Sequence, residues 1–137
     1  MRVRQRDGLL FPEENDLPGL EGKGGGPGFD DLLRFPIAST PLSDEVARAL
    51  VERYGPRAHP SQFVTLRCEE LPSLIEVARR SDTVLLAIRA AAPDLVELEM
   101  QPALAATARF GLVTLRRRTL PAGLPLVREL MARLLVD

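Results

Sequence analysis

The chain of 137 residues contains one cysteine, one histidine and no tryptophan. A single thiol excludes an internal disulfide framework and any cysteine-rich zinc site, and it fits a reducing, cytoplasmic compartment. One imidazole leaves little room for histidine-based metal or acid–base chemistry, and neither a metal nor another cofactor is expected. No apolar run approaches the roughly 18–20 residues needed to span a bilayer, and no amino-terminal apolar core marks a signal peptide, so no membrane partner is expected. The formal net charge is −1, so no global basic field draws the chain to nucleic acid or to an anionic surface. Lysine is nearly absent, one against seventeen arginines. The remainder, 45% hydrophobic and 27% charged, suits a globular domain, and at this length folding buries about two-thirds of the unfolded surface without a covalent staple.

Residues 1–28 differ from the rest. Arg2, Arg4 and Arg6 alternate with Val3 and Gln5, which reads as a short edge strand or a solvated tail. Pro12, Pro18 and the run from Gly22 to Gly28 follow. Such a stretch buries little and loses much backbone entropy on ordering, so 12–28 reads as a linker. Periodicity begins at Phe29. Residues 35–38 read as a strand. Ser43 reads as an N-cap with Asp44 and Glu45 in the first turn, and Gly55-Pro56 as the stop of that helix. Residues 63–68 read as a second strand, and Glu69-Glu70-Leu71-Pro72 as the opening of a second helix. Residues 84–88 are apolar on both faces, as in a covered central strand. Residues 95–100 and 108–115 read as strands, and 122–136 as a helix with an apolar stripe from Leu124 to Leu135. Alternating strands and helices imply an α/β fold with a mostly parallel sheet flanked by helices.

In such sheets ligands sit at the carboxyl ends of strands, beside helix N-termini. Three such ends are visible: Ser39-Thr40-Pro41, Arg67-Cys68-Glu69 and Ile88-Arg89. If the strands are neighbours, two arginines and two hydroxyls converge in a way that suits a small carboxylate. The plainer reading is that Ser39 and Thr40 only cap and turn while both arginines are solvated. Cys68 and His59 raise the idea of a cysteine–histidine nucleophile, but His59 falls in a proline-bounded loop and Cys68 on the inward alternation of a strand, which suits a structural thiol. The glycine run is not a phosphate-binding loop, since Lys23 precedes Gly24 rather than a hydroxyl residue. Arg116 to Arg118 read as the solvated end of a strand. With no paired carboxylates for acid–base work, no enzymatic activity is expected.

From Phe29 onward the pattern resembles the second half of the effector-binding domain of LysR-type transcriptional regulators. The carrying residues are Asp31-Leu32-Leu33-Arg34-Phe35-Pro36-Ile37-Ala38-Ser39-Thr40-Pro41-Leu42, the stretch from Val64 to Glu70, Ser81-Asp82-Thr83-Val84-Leu85-Leu86-Ala87, Arg109-Phe110-Gly111-Leu112-Val113, and Arg118-Thr119-Leu120-Pro121 before the final helix. The resemblance covers about four-fifths of the chain. It implies one Rossmann-like lobe of a fold like type 2 periplasmic binding proteins, with residues like 35–102 forming a second lobe and residues like 107–137 returning to complete a first. It also implies a small effector held against Ser39, Thr40, Pro41, Arg67, Cys68 and Glu69, with Arg89 nearby, and a homo-oligomer that regulates transcription. DNA contact in that family runs through a winged helix-turn-helix that these residues do not contain. A truncated interaction or dimerisation module of the same fold, without DNA binding, is the second expectation. Residues 1–28 fall outside the resemblance, and read as an added segment, a misassigned start or a divergent crossing segment. The apolar stripe of the last helix is expected to pack back on the lobe or on a second copy.

Overall fold

The computed structural model describes residues 2–13, 26–116 and 118–135. The elements, in chain order, are β1 (Arg2–Phe11), α1 (Phe29–Leu32), β2 (Ile37–Ser39), α2 (Asp44–Tyr54), α3 (Pro60–Phe63), β3 (Leu66–Arg67), α4 (Leu71–Arg80), β4 (Val84–Ile88), β5 (Val96–Glu97), β6 (Thr107–Gly111) and α5 (Leu124–Leu134), with single 3-10 turns at Pro56–Ala58 and Arg89–Ala91. The strands form a mixed sheet in the order β3-β2-β4-β1-β5, and β6 pairs with β1 outside that path. Strand β2 runs parallel to β3 and β4, whereas β1 is antiparallel to β4, β5 and β6. The protein is thus an α/β fold whose sheet is mixed rather than mostly parallel, because an amino-terminal strand inserts against the direction of its neighbour.

That strand is the largest departure from the sequence reading. The alternation of Arg2 to Arg6 suggested an edge strand or a tail, but β1 is ten residues long and interior to the sheet. Its second half pairs with β4 from Asp7↔Ile88 to Leu10↔Leu85. Its first half leaves that sheet and pairs with β6 from Arg2↔Gly111 to Arg6↔Thr107. One strand therefore belongs to the main sheet and to a two-stranded ribbon. The linker expected at 12–28 falls mostly on residues 14–25, outside the described residues.

Two apolar layers cover the sheet, and the two-residue period of the strands sorts side chains between them. Leu9, Ile37, Val84 and Leu86 join Phe29, Leu32, Val46, Leu50 and Phe63 on the face of α1, α2 and α3. Leu10, Ala38, Leu85 and Ala87 join Leu74, Ile75 and Ala78 of α4 on the other. Phe29 stacks on Tyr54 at 5.5 Å and meets Phe63 edge-on at 5.3 Å. The Tyr54 hydroxyl donates to the Pro102 carbonyl at 2.7 Å, and burial pushes its pKa up.

Local chemistry sets several boundaries. Ser43 Oγ accepts from the Val46 N–H at 3.3 Å and starts α2, while Gly55 ends it at a φ of 95° that favours glycine. Pro72 sits in the first turn of α4, where its missing N–H costs nothing. The strand expected over 63–68 shrinks to Leu66–Arg67, because Pro60–Phe63 closes a helical turn under a His59 cap. The strand expected over 108–115 ends at Gly111, and Val113 is 90% exposed.

Arg79 ties α4 to the segment before β5. Its Nε and Nη2 each donate to the Asp94 carboxylate at 2.9 Å, and its Nη1 donates to Glu76 at 2.6 Å. The hydrogen bonds from Arg79 lower the Asp94 pKa. A depressed carboxylate contributes stability above its unfolded pKa of about 4 and loses it as pH falls through the folded value. Asp94→Asn is therefore expected to narrow the stability difference between neutral pH and pH below about 4. Thermal unfolding of both proteins across that window checks this, and identical pH slopes would contradict it.

Candidate ligand cleft

A cavity of about 390 Å3 lies at the carboxyl ends of β2 and β4. Thr40, Pro41, Leu42 and Ser43 enter it from the loop that joins β2 to α2, and Val46 from the first turns of that helix. Leu86, Ala87 and Ile88 contribute from β4, and Leu71 from the start of α4. The ribbon closes the remaining side with Asp7 of β1 and Ala108, Arg109 and Phe110 of β6. The Asp7 N–H donates to the Ala106 carbonyl at 3.0 Å, just where β1 passes from the main sheet to the ribbon. The cleft therefore sits where parallel strand ends meet helix starts, the position at which open α/β sheets bind ligands, with a crossing strand as its second wall.

The residues lining the cleft combine an apolar floor with few polar groups. Thr40 is half-buried and supplies a hydroxyl. Ser43 supplies a second, already accepting from the α2 backbone. Arg109 supplies a guanidinium whose partner, Glu45 in the first turn of α2, lies at 3.3 Å. Both members of that pair are more than half exposed, so the pair is weakly held and the guanidinium can turn to an anion. Asp7, 4% exposed, places a carboxyl group in the same wall.

The sequence-derived residues divide between this cleft and its surroundings. Thr40 and Pro41 line it. Ser39 is 1% exposed and its Oγ donates to the Thr40 carbonyl at 2.8 Å, fixing the turn out of β2. Arg67 and Glu69 are exposed at the end of β3, the edge strand, and do not line the cavity. Cys68 is half-buried just beyond β3, and its Sγ accepts from the Glu70 N–H at 3.4 Å. Arg89 turns away to pair with Glu97 at 3.0 Å, an acid it shares with Arg6. His59 Nδ1 caps α3 and contacts Ser61 Oγ at 2.7 Å, so histidine and cysteine are each engaged locally.

Asp7 and Arg109 were not read as site residues. Their place depends on the pairing of β1 with β4 and β6, which joins segments about a hundred residues apart and leaves no local spacing signal. Among the described residues no group of three or more histidine, cysteine, aspartate or glutamate side chains is placed to hold a metal ion, and no helix is long and apolar enough to cross a membrane. Comparison with family models, with curated proteins and with solved structures returned no match.

Proposed function

We propose that this chain is the effector-binding portion of a LysR-type transcriptional regulator, a non-enzymatic sensor in which residues 29–137 form a lobe like those of type 2 periplasmic binding proteins. The observation that carries the reading is the cleft itself: Thr40, Pro41 and Ser43 from one crossover, the end of β4, and the crossing β1–β6 ribbon enclose about 390 Å3. The order and spacing of the residues from Asp31 to Pro121 support the family assignment. The ligand is a small metabolite bearing a carboxylate. Its charge meets the Arg109 guanidinium, the Thr40 hydroxyl donates to it, and its apolar part rests on Leu71, Leu86 and Ile88.

The ligand acts by binding one arrangement of the ribbon and lobe better than another. Only that difference in affinity can move an equilibrium, and coupling to DNA is then reciprocal between the two sites. DNA contact belongs to a winged helix-turn-helix outside these residues, in a cytoplasmic homo-oligomer. The second reading, a dimerisation module without DNA binding, is favoured by the exposure of Leu126, Val127 and Leu134 on α5.

The test is a thermal-shift screen of this chain against small mono- and dicarboxylates. A binder is expected to raise Tm with concentration as mass action requires. The Thr40→Val variant should keep its own Tm within a few degrees while losing about tenfold in affinity, the equivalent of one hydrogen bond of about 1.4 kcal/mol. A binder whose affinity is unchanged in Thr40→Val would place the ligand elsewhere.

A further inference from the structure

The ribbon of β1 and β6 concentrates positive charge on one face. Arg2, Arg4 and Arg6 are exposed, and the two-residue period of a strand sets them on one side, with the buried Gln5 and Asp7 on the other. The register places Arg109 of β6 directly across from Arg4, and Gly111 across from Arg2. Directly opposed residues share a face, so Arg109 joins the same side. Arg2, Arg4, Arg109, Phe110 and Gly111 line one open hollow of about 560 Å3, within the range of small-molecule sites.

These arginines lack the counter-charge that others in the molecule have. Arg79 pairs with Glu76 and Asp94, and Arg6 and Arg89 pair with Glu97. Arg109 has only the exposed Glu45, a weak partner. Among the described residues no carboxylate pairs with Arg2 or Arg4. Like charges directly opposed across a ladder destabilise it, and the exposed Arg4–Arg109 pair brings no buried packing in return. An anion held between the two guanidiniums reverses the sign of that interaction. Each guanidinium offers a planar fork of N–H donors that grips two oxygens. A phosphate monoester presents three acceptor oxygens and a charge of about −1.5 to −2 at pH 7, which three such forks match better than a carboxylate does. Gly111 leaves the space across from Arg2 free of a side chain, and the partly exposed Phe110 offers an apolar surface beside it.

We propose that the arginine face of the ribbon is a binding site for a phosphate monoester, gripped by Arg2, Arg4 and Arg109 with its organic part against Phe110. It is a second anion site beside the cleft. Arg109 borders both, whereas Arg2 and Arg4 do not line the cleft. The inference therefore does not rest on the effector reading, and Arg2 and Arg4 are the residues that tell the two apart.

Calorimetric titration of the full chain with phenyl phosphate, at about 0.15 M salt, tests this. One ligand per chain is expected, with a Kd below about 1 mM. Arg4→Gln should weaken binding by at least about tenfold, because it removes charge-assisted hydrogen bonds, and its Tm without ligand should not fall, because a like-charge pair goes with it. Arg2→Gln, outside that pair, should weaken binding by a similar factor and serves if the first variant fails to fold. Arg80→Gln, on α4 and away from the hollow, should leave the affinity unchanged. A wild-type Kd above about 1 mM, an equal loss in Arg80→Gln, or unchanged affinity in both ribbon variants overturns the proposal. An oligonucleotide that binds where phenyl phosphate does not also overturns it, and assigns the ribbon to a phosphodiester backbone. A carboxylate that binds the cleft should bind Arg4→Gln as it binds the wild type, so either site can fail while the other stands.

Discussion

Removal of residues 1–11 is expected to abolish cooperative unfolding of this protein. Strand β1 gives Leu9, 3% exposed, to one apolar layer and Leu10, 1% exposed, to the other. It also supplies the backbone partners of β4, β5 and β6. Losing two buried leucines costs about 2–5 kcal/mol each. The stripped edge of β4, and β5 and β6 without their partner, add to that. The total meets or exceeds the 5–15 kcal/mol that holds a typical domain together. Circular dichroism with a thermal ramp checks this: the truncated chain should melt without a sigmoidal transition. Retention of the full-length Tm would mean that β1 is dispensable, as the reading of the amino terminus as a tail implied.

The second large effect is expected at the centre of the sheet. Leu85 is fully buried in β4, facing α4 with Leu74 and Ala78 and flanked by Ala38 of β2 and Leu10 of β1. A shorter side chain would leave a cavity among these buried neighbours. Leu85→Ala is therefore expected to cost about 2–5 kcal/mol and to lower Tm by about 10 °C or more. Val113→Ala, at a position 90% exposed, should move stability by less than about 0.5 kcal/mol. Denaturant unfolding of both variants gives the comparison. Equal effects at the two positions would contradict the burial described for β4.

These two predictions mark where the fold was legible in the sequence and where it was not. The run Val84-Leu85-Leu86-Ala87-Ile88 is apolar at every position, and its shortness and β-branched ends favour a strand covered on both faces over a buried helix. Helix α2 announces itself through its Ser43 cap and Gly55 stop, and α4 through Pro72. Strand β1 was hidden because its first half places polar residues on both sides. Arg2, Arg4 and Arg6 are exposed on one side, and Gln5, 0% exposed, and Asp7, 4% exposed, fall on the other, and buried polar side chains defeat an alternation read by hydrophobicity. The short strands β3 and β5 were over-extended for a related reason: apolar residues such as Phe63 and Met100 belong to the core without belonging to a ladder.

The candidate site divides in the same way. Thr40 and Pro41 could be found because a crossover from strand to helix is local, and its start carries hydroxyl and proline signals; Ser43, read from the sequence only as an N-cap, lines the cleft beside them. Arg67 and Arg89 were reasonable from the same rule applied to β3 and β4. Placement of β3 at the sheet edge sets the first outside the cavity, and Glu97 draws the second away. Asp7 and Arg109 enter only through the ribbon, which is a long-range pairing. Half of the cleft is thus written in local sequence, and the half that closes it is written in topology.

Backbone amide chemical shifts of the 15N-labelled chain, titrated with a small carboxylate that raises its Tm, test the central claim most directly. Saturable shifts are expected to concentrate at residues 40–46, 86–88 and 108–110, with the Arg109 amide among the most perturbed. Saturable shifts confined to the exposed end of β3 or to α5, with the cleft silent, would contradict the account.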